Sequence, residues 1–324
     1  MSAPTSPLTP LARSLWNRVK AGQLALPLFI VAVAVATGLV EPRFWSIDNL
    51  LNLSRQVAPL MILAAGQVFA VIAGGLDLSI AAVLALSSVV GILALKEVGM
   101  IGGIAVMVAT GLGIGLVNGL IIVRFKVSPL IVTLGMLSIA RGLSLLVTGG
   151  LPIYDVPGPM VDRLGYGAVL GVPVPALVAL GALLFGAFLL RYTVFGRYVY
   201  AIGSSPTAAY NSGIDVGRTT VLVYVLCGGM AGLAGVVLTS WVSAAQPLAA
   251  QGLELQSLAA VVVGGVALTG GSGTMLQAFY GALILGMLSN VLNMAGVSSF
   301  LQTLLIGVVI VAAVILDQLR RARR

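Results

Sequence analysis

Few side chains in this 324-residue sequence could carry chemistry, and their identities restrict what that chemistry can be. Histidine is absent, which excludes imidazole acid–base catalysis and histidine metal ligation. One cysteine, Cys227, allows neither an internal disulfide nor a thiolate cluster. Lys20, Lys96 and Lys126 are the only lysines, and each follows a bulky apolar residue. A Walker A loop needs Gly-Lys-Ser/Thr, so the chain cannot itself be a P-loop ATPase. No nucleophile–base pair and no pair of carboxylates marks a catalytic centre, and we assign neither a catalytic residue nor a metal site.

What remains is a set of polar residues embedded in apolar runs. Asp77 stands in Gly74-Gly75-Leu76-Asp77-Leu78-Ser79. A carboxylate at the centre of a membrane helix costs about 2.5–3.5 kcal/mol, so Asp77 belongs near an interface or a wet cavity. Three roles are open to it: a cap on the helix that follows, a part in gating, or proton or cation coupling. Arg141 interrupts another apolar run and must find a carboxylate, backbone carbonyls or water. Gln67, Asn118, Thr133, Asn290 and Asn293 are neutral polar groups at membrane depth, and Gln246, Glu254 and Gln256 lie in or beside a short connecting segment. Such groups glue helices together, and they also suit an uncharged hydroxylated solute that needs donors and acceptors but no counter-charge. An ion filter would need an acidic cluster or a basic ring, and none is present.

The elements that position these residues follow from composition. Hydrophobic residues make up 59% of the chain and charged residues 8%, against roughly 25% charged in soluble proteins. With a mean hydropathy of +1.13, this composition is that of a polytopic membrane protein, and it excludes intrinsic disorder over most of the chain. A span needs about 20 apolar residues. Residues 21–40 meet this, 56–95 have room for two spans, and 98–123, 128–148, 168–190 and 219–241 give one each. From Leu255 to Leu316 no charge occurs, a run of about 93 Å as helix, long enough for three spans with turns at Gly270–Gly273 and Gly296–Ser299. The reading is an all-α protein of about ten transmembrane helices.

Basic residues set the orientation. With the N-terminus inside, the inner segments collect Arg13, Arg18, Lys20, Arg124, Lys126, Arg191, Arg197, Arg218 and the four final arginines. Both termini are therefore expected to be cytoplasmic. Scattered between spans, these basic residues report topology and not nucleic-acid binding, despite a net charge of +8. Residues 1–20, with Pro4, Pro7 and Pro10, read as a disordered cytoplasmic tail, and 318–324 as a basic one. Residues 149–167 form an outer loop and 191–218 an inner one. Small residues recur every fourth position at Gly111, Gly115 and Gly119, and again at Gly228 and Gly232, a spacing for close helix packing or for a hinge. Gly74-Gly75 and Gly264-Gly265 end similar apolar runs and hint at an internal duplication.

Several of these stretches resemble permeases of ribose-type ABC importers. The segment Glu41 to Leu53, with Pro42-Arg43-Phe44-Trp45 and Asp48-Asn49-Leu50, resembles the region after the first span of that family. Gly74 to Ile80 is similar to its Gly-Gly-Ile-Asp-Leu-Ser-Val run, and Phe195 to Gly203 to its cytoplasmic loop. Ser243 to Pro247, Glu254, Leu258 to Gly265 and Gly296 to Gln302 complete a likeness running from about residue 25 to residue 317. The resemblance implies a bacterial inner-membrane permease subunit for a monosaccharide, with residues 21–317 as one permease domain. It implies a periplasmic sugar-binding protein outside, a second permease chain alongside, and ATPase subunits inside that carry the ATP and magnesium. This chain itself would bind no cofactor. Loop 191–218 becomes the ATPase-coupling element through Gly196, Arg197, Gly203, Ala208, Ala209 and Gly213, and loop 149–167 becomes periplasmic. Gating and structural roles fall to Gly74, Gly75, Asp77, Ser79, Arg141, Gly264 and Gly265. Three positions depart from the family pattern: Pro206-Thr207 replaces a glutamate before the alanine pair, Gln256 replaces the second acid after Glu254, and Gly307 stands where ribose permeases carry a lysine. The alternative left by the residues alone is a secondary transporter or facilitator that uses Asp77 as its coupling carboxylate.

Overall fold

The computed structural model describes residues 25–298, 300–308, 311 and 315, so both expected tails lie outside the described residues. Helix α1 is Ala25–Val40, and after a 3-10 turn α2 is Ile47–Ile72. The helical run Ile80–Phe125 is broken at Gly99, where φ is 72° and ψ 176°. Residues twelve apart in one straight helix would be separated by about 18 Å. Here a methyl group on Gly103 would lie 3.0 Å from the carbonyl oxygen of Gly91, so the chain reverses at Gly99. We call residues 80–98 α3 and residues 100–125 α4. The remaining helices are α5 (Pro129–Thr148), α6 (Val174–Tyr192), α7 (Val194–Ser204), α8 (Pro206–Asn211), α9 (Val216–Val242), α10 (Leu253–Val263) and α11 (Met275–Met294). Among the described residues, six helical runs are long and apolar enough to cross a membrane, and the α3–α4 hairpin is one of the six.

Two boundaries differ from the sequence reading. Residues 168–173 do not begin a span: Ala168–Val169 pairs antiparallel with Val172–Pro173 around a two-residue turn, Leu170-Gly171, both at positive φ. Helix α6 therefore starts only at Val174. Helix α10 has 11 residues, about 16 Å of rise, and is too short to cross about 30 Å of hydrocarbon. It stops because Gly265 turns into the left-handed region at φ +95°, letting Val266 N–H reach the Val261 carbonyl at 3.1 Å. Helix α2 ends by the same device, with Gly74 at φ +82° and Gly75 N–H bonded to the Ala70 carbonyl at 2.8 Å. The two glycine pairs are thus the same helix stop used twice.

The centre of the fold is the packing of α4 on α9. A methyl group on Gly111 would strike the Gly228 carbonyl, and one on Gly119 would lie 2.7 Å from the Cα of Val221. Gly232 would likewise meet the Met107 carbonyl at 2.6 Å. Only glycine lets the two backbones come this close, and in lipid such packing replaces the hydrophobic drive that water would supply. The principal core gathers around it from α2, α3, α6, α9, α10 and α11, with Phe69, Ile72, Leu84, Tyr224 and Leu285 fully enclosed.

The lipid-facing glycine of the same helix is the built-in control. Gly115→Val should destabilise the detergent-solubilised protein by about 1–3 kcal/mol or more through overpacking. Gly113, with open space at its Cβ position, should accept alanine with no loss. Thermal unfolding followed by size-exclusion chromatography separates the two, and equal sensitivity at both positions would contradict the packing account.

Candidate functional site

The segment between α2 and α3 buries a polar knot. The Oδ1 of Asp77 accepts from the Ser79 backbone N–H at 2.9 Å and from the Ser79 hydroxyl at 2.6 Å. Asn118, from α4, donates to the Ser79 hydroxyl at 3.0 Å. Asp77, Ser79 and Asn118 are at most 1% exposed, and among the described residues no cation pairs with Asp77. Two further hydroxyls flank the segment: Tyr224 of α9 donates to the Leu76 carbonyl at 3.3 Å, and the Thr133 hydroxyl of α5 lies 3.4 Å from the same oxygen while donating to the Pro129 carbonyl at 2.9 Å. The fold thus gathers Asp77, Ser79, Asn118 and Thr133 into one cluster at the start of α3.

Near the opposite end, Arg141 of α5 meets Glu254 in the first turn of α10, with Nη2 3.4 Å from Oε1. The other carboxylate oxygen accepts the Gly252 N–H at 3.0 Å, which fixes the approach to α10. The surrounding loops join edge to edge through reciprocal 2.9 Å bonds between Ile153 and Ala245. Lys96 bonds Asp155 at 2.8 Å, and the donated hydrogen bond together with the ammonium charge holds the Asp155 carboxyl below its ordinary range. The guanidinium of Arg55 lies 5.6 Å from the Tyr166 ring centroid. Arg55, Lys96 and the loops around 149–167 and 243–252 therefore share one end of the molecule.

The other predicted polar residues are dispersed. Asn290 pairs reciprocally with Asn49 of α2 at 3.0 and 3.2 Å, and Asn293 accepts from Gln302 at 2.8 Å. Gln67 is wholly buried, with neither amide atom bonded. Gln246 and Gln256 are half-buried in and beside the 243–252 connection.

Where α2 stops, three separate segments meet through glycine. Gly271 N–H bonds the Ile72 carbonyl at 2.8 Å, tying the 264–274 loop to the end of α2. A methyl group on Gly203 of α7 would run into that same carbonyl and would lie 2.5 Å from the Gly271 nitrogen. Tyr200, two turns into α7, donates its hydroxyl to the Gly273 carbonyl at 2.7 Å. Helices α7 and α8 are capped by Thr193 and Ser205, whose hydroxyls accept the N–H groups of Gly196 and Ala208. Gly196 is buried against the carbonyls of Leu189 and Leu190. Arg197, Ala208 and Gly213 are exposed, whereas Ala209 packs inward. Gly213, at φ +81°, turns the chain from α8 toward α9 beside an open cleft of about 700 Å³.

The family described as "branched-chain amino acid transport system / permease component" matches residues 49–314, most of the chain. The chain belongs to this permease family. The ribose import permease of Bacillus subtilis is 42% identical over 304 residues, covering 92% of each chain. The D-allose transport system permease of Escherichia coli is 35% identical over 299 residues, 90% of each. An L-arabinose ABC transporter permease of Azospirillum brasilense is 36% identical over 311 residues, covering 95% of this chain and 91% of its own. No solved structure matches it. As a permease component, the protein is a membrane transport subunit and not an enzyme.

Sequence reasoning missed parts of this permease that only folding assembles. Tyr200 lies inside a recognised motif, yet nothing in the motif points to Gly273. Asn49 and Asn290 are 241 positions apart, and neither announces the other. The Arg141–Glu254 pair, by contrast, answers a need visible in the sequence. Its side chains are 25% and 11% exposed, so removing either charge strands the other. Arg141→Ala and Glu254→Gln should each lower thermal stability, and the double variant should lose less than their sum, with a coupling of about 0.5–3 kcal/mol. Strict additivity in that cycle would show that the pair does not couple α5 to α10.

Proposed function

We propose that this permease is the membrane subunit of an ATP-binding-cassette importer for a monosaccharide. The observation that carries the reading is the set of relatives, whose names span ribose, allose and arabinose while their likeness covers about nine-tenths of this chain. A shared sugar class with differing sugars fits a neutral pathway better than a ribose-specific one. In this reading the chain lies in the bacterial inner membrane with ten spans and both termini cytoplasmic. The described helices, with the α3–α4 hairpin, the short α10 and the helical residues 300–308, are compatible with that count. A binding protein delivers the sugar to the outer end, near residues 243–256 and loop 149–167. A second permease chain completes the pathway.

ATP hydrolysis belongs to partner subunits docked at the inner end. The exposed surface of α7 and α8, with Arg197, Ala208 and Gly213, is their seat. Movement there reaches the membrane through Gly203, which touches both the end of α2 and the 264–274 loop. Ligand and nucleotide act by favouring different conformations, without chemistry on the solute. The Asp77 cluster serves as a gate element: a buried carboxylate held by Ser79 at a helix start can be released only together with its partners.

Gly203→Val and Gly213→Val should leave membrane insertion intact and abolish the dependence of ATP hydrolysis on sugar uptake, with uptake falling at least tenfold. Unchanged uptake in both would refute the docking assignment. A mild-detergent pull-down of the tagged chain should recover a stoichiometric Walker A protein. The proton-coupled alternative predicts the reverse at another residue. Asp77→Asn keeps an oxygen for Ser79 and should retain ATP-driven uptake, whereas loss of uptake together with proton coupling would favour a secondary transporter.

A further inference from the structure

At the outer end of the permease, α2, α9, α10, α11 and the 243–252 connection enclose a cleft of about 290 Å³. We propose that this cleft is a sugar-binding subsite, in which Gln56, Gln251, Gln256 and Ser289 hydrogen-bond the hydroxyls of one neutral monosaccharide ring and Trp241 packs against its apolar face. The inference rests on the sugar-importer reading and adds to it a place where the sugar is held within this chain.

Three properties of the lining select that ligand class. First, no residue lining the cleft is charged. The nearest charged neighbours in sequence are engaged elsewhere: Arg55 lies over Tyr166, and Glu254 is paired with Arg141. A free amino acid, a zwitterion, would leave both its charges unpaired in such a site. A polyhydroxylated neutral ring has no charge to satisfy. Second, the three amides and the Ser289 hydroxyl are unoccupied, since among the described residues none of these side chains makes a hydrogen bond. Each amide offers both donor and acceptor, the pairing that adjacent sugar hydroxyls require. Third, the site joins one aromatic wall to a few polar groups at the small end of the volume range of ligand pockets, about 300 Å³.

The cleft is built by folding rather than left over from it. Ser243 at φ +59° and Gly252 at φ +90° reverse the chain on either side of the connection. The Glu254 carboxylate then pins Gly252 from below, which sets Gln251 and Gln256 on the two sides of that turn. The opposite wall is fixed where Gly286 of α11 presses on α2: a methyl group there would collide with Val57. Gln56 and Ser289 stand beside those two contact residues and inherit their rigidity.

Trp241 supplies the reporter. The chain has three tryptophans, so Trp16→Phe with Trp45→Phe leaves Trp241 as its sole indole, and a matching complex with Trp241→Phe gives the emission of the partner subunits and nanodisc scaffold to subtract. The co-purified complex carrying these changes, held in nanodiscs, is titrated with D-ribose, L-arabinose, D-allose and L-leucine, and uptake of each is measured in parallel proteoliposomes with the binding protein. A sugar that is taken up should change the Trp241 emission saturably. Gln56→Leu and Gln256→Leu should each raise its apparent Kd about tenfold, the effect of one lost neutral hydrogen bond. L-leucine should give no response. Uptake of a sugar to which Trp241 is silent, or a response unmoved by both substitutions, overturns the subsite and leaves the importer reading standing. A saturable response to L-leucine overturns the neutral-ligand assignment. Failure of the complex to take up any of the three sugars counts against the sugar-importer reading itself, and the subsite falls with it.

Discussion

The approach of α4 to α9, backbone against backbone, is the constraint on which the rest of the permease hangs. It depends on the absence of five side chains, at Gly111, Gly115, Gly119, Gly228 and Gly232. Because α9 lies so close, its Tyr224 hydroxyl reaches the Leu76 carbonyl and its Cys227 thiol reaches the Gly66 carbonyl at 3.1 Å. Helix α2 and the segment after it are thereby referenced to α9. Asn118 sits on the same α4 face, one residue before Gly119, and that position delivers its amide to Ser79. A stripe chosen for packing thus also sets the geometry of the buried carboxylate.

Apolar surroundings impose a second discipline. Backbone N–H and C=O groups at membrane depth must be satisfied internally, so a helix can stop there only where something completes its hydrogen bonds. Helices α2 and α10 solve this with the same glycine turn, and the loop after α10 is bonded to the end of α2 through the Gly271 N–H and to α7 through the Tyr200 hydroxyl. At the start of α10 the equivalent work falls to side chains: Glu254 takes the Gly252 N–H and the Arg141 guanidinium together. Polar residues in this protein mostly close such accounts. Exceptions among the described residues include Gln67 and the Ser87 hydroxyl, buried without a bond, the Nε of Arg55 and the Oδ1 of Asn118, and the amides of the cleft beside the 243–252 connection, which face open space.

What could be read from the sequence follows from how far each signal reaches along the chain. Lys96-Glu97 between two apolar runs marks the bend of the α3–α4 hairpin, and the four-residue glycine spacing marks a packing face on α4 and another on α9, though not that the two faces meet. The need of Arg141 for a polar partner was legible, although neither its kind nor its position was. The shortness of α10 was hidden, because 255–316 contains no charge and hydropathy cannot see a glycine turn inside it. The start of α6 was misplaced because Ala168–Pro173 is as apolar as the helix that follows. The outer cleft was beyond reach: its polar residues come from positions 56, 241, 251, 256 and 289, which share no periodicity and meet only once four helices have packed.

The inner glycine junction has a kinematic meaning. Ile72, Gly203 and Gly271 meet at one carbonyl oxygen, so the end of α2 and the 264–274 loop are not two independent parts. Bodies pinned at a common point lose relative freedom, and here two interruptions of the membrane helices are left sharing a single degree of it. Tyr200 adds a second attachment from the same helix. In the importer reading proposed above, a shift of α7 would therefore pull on both interruptions at once, in the manner of a crank with two throws.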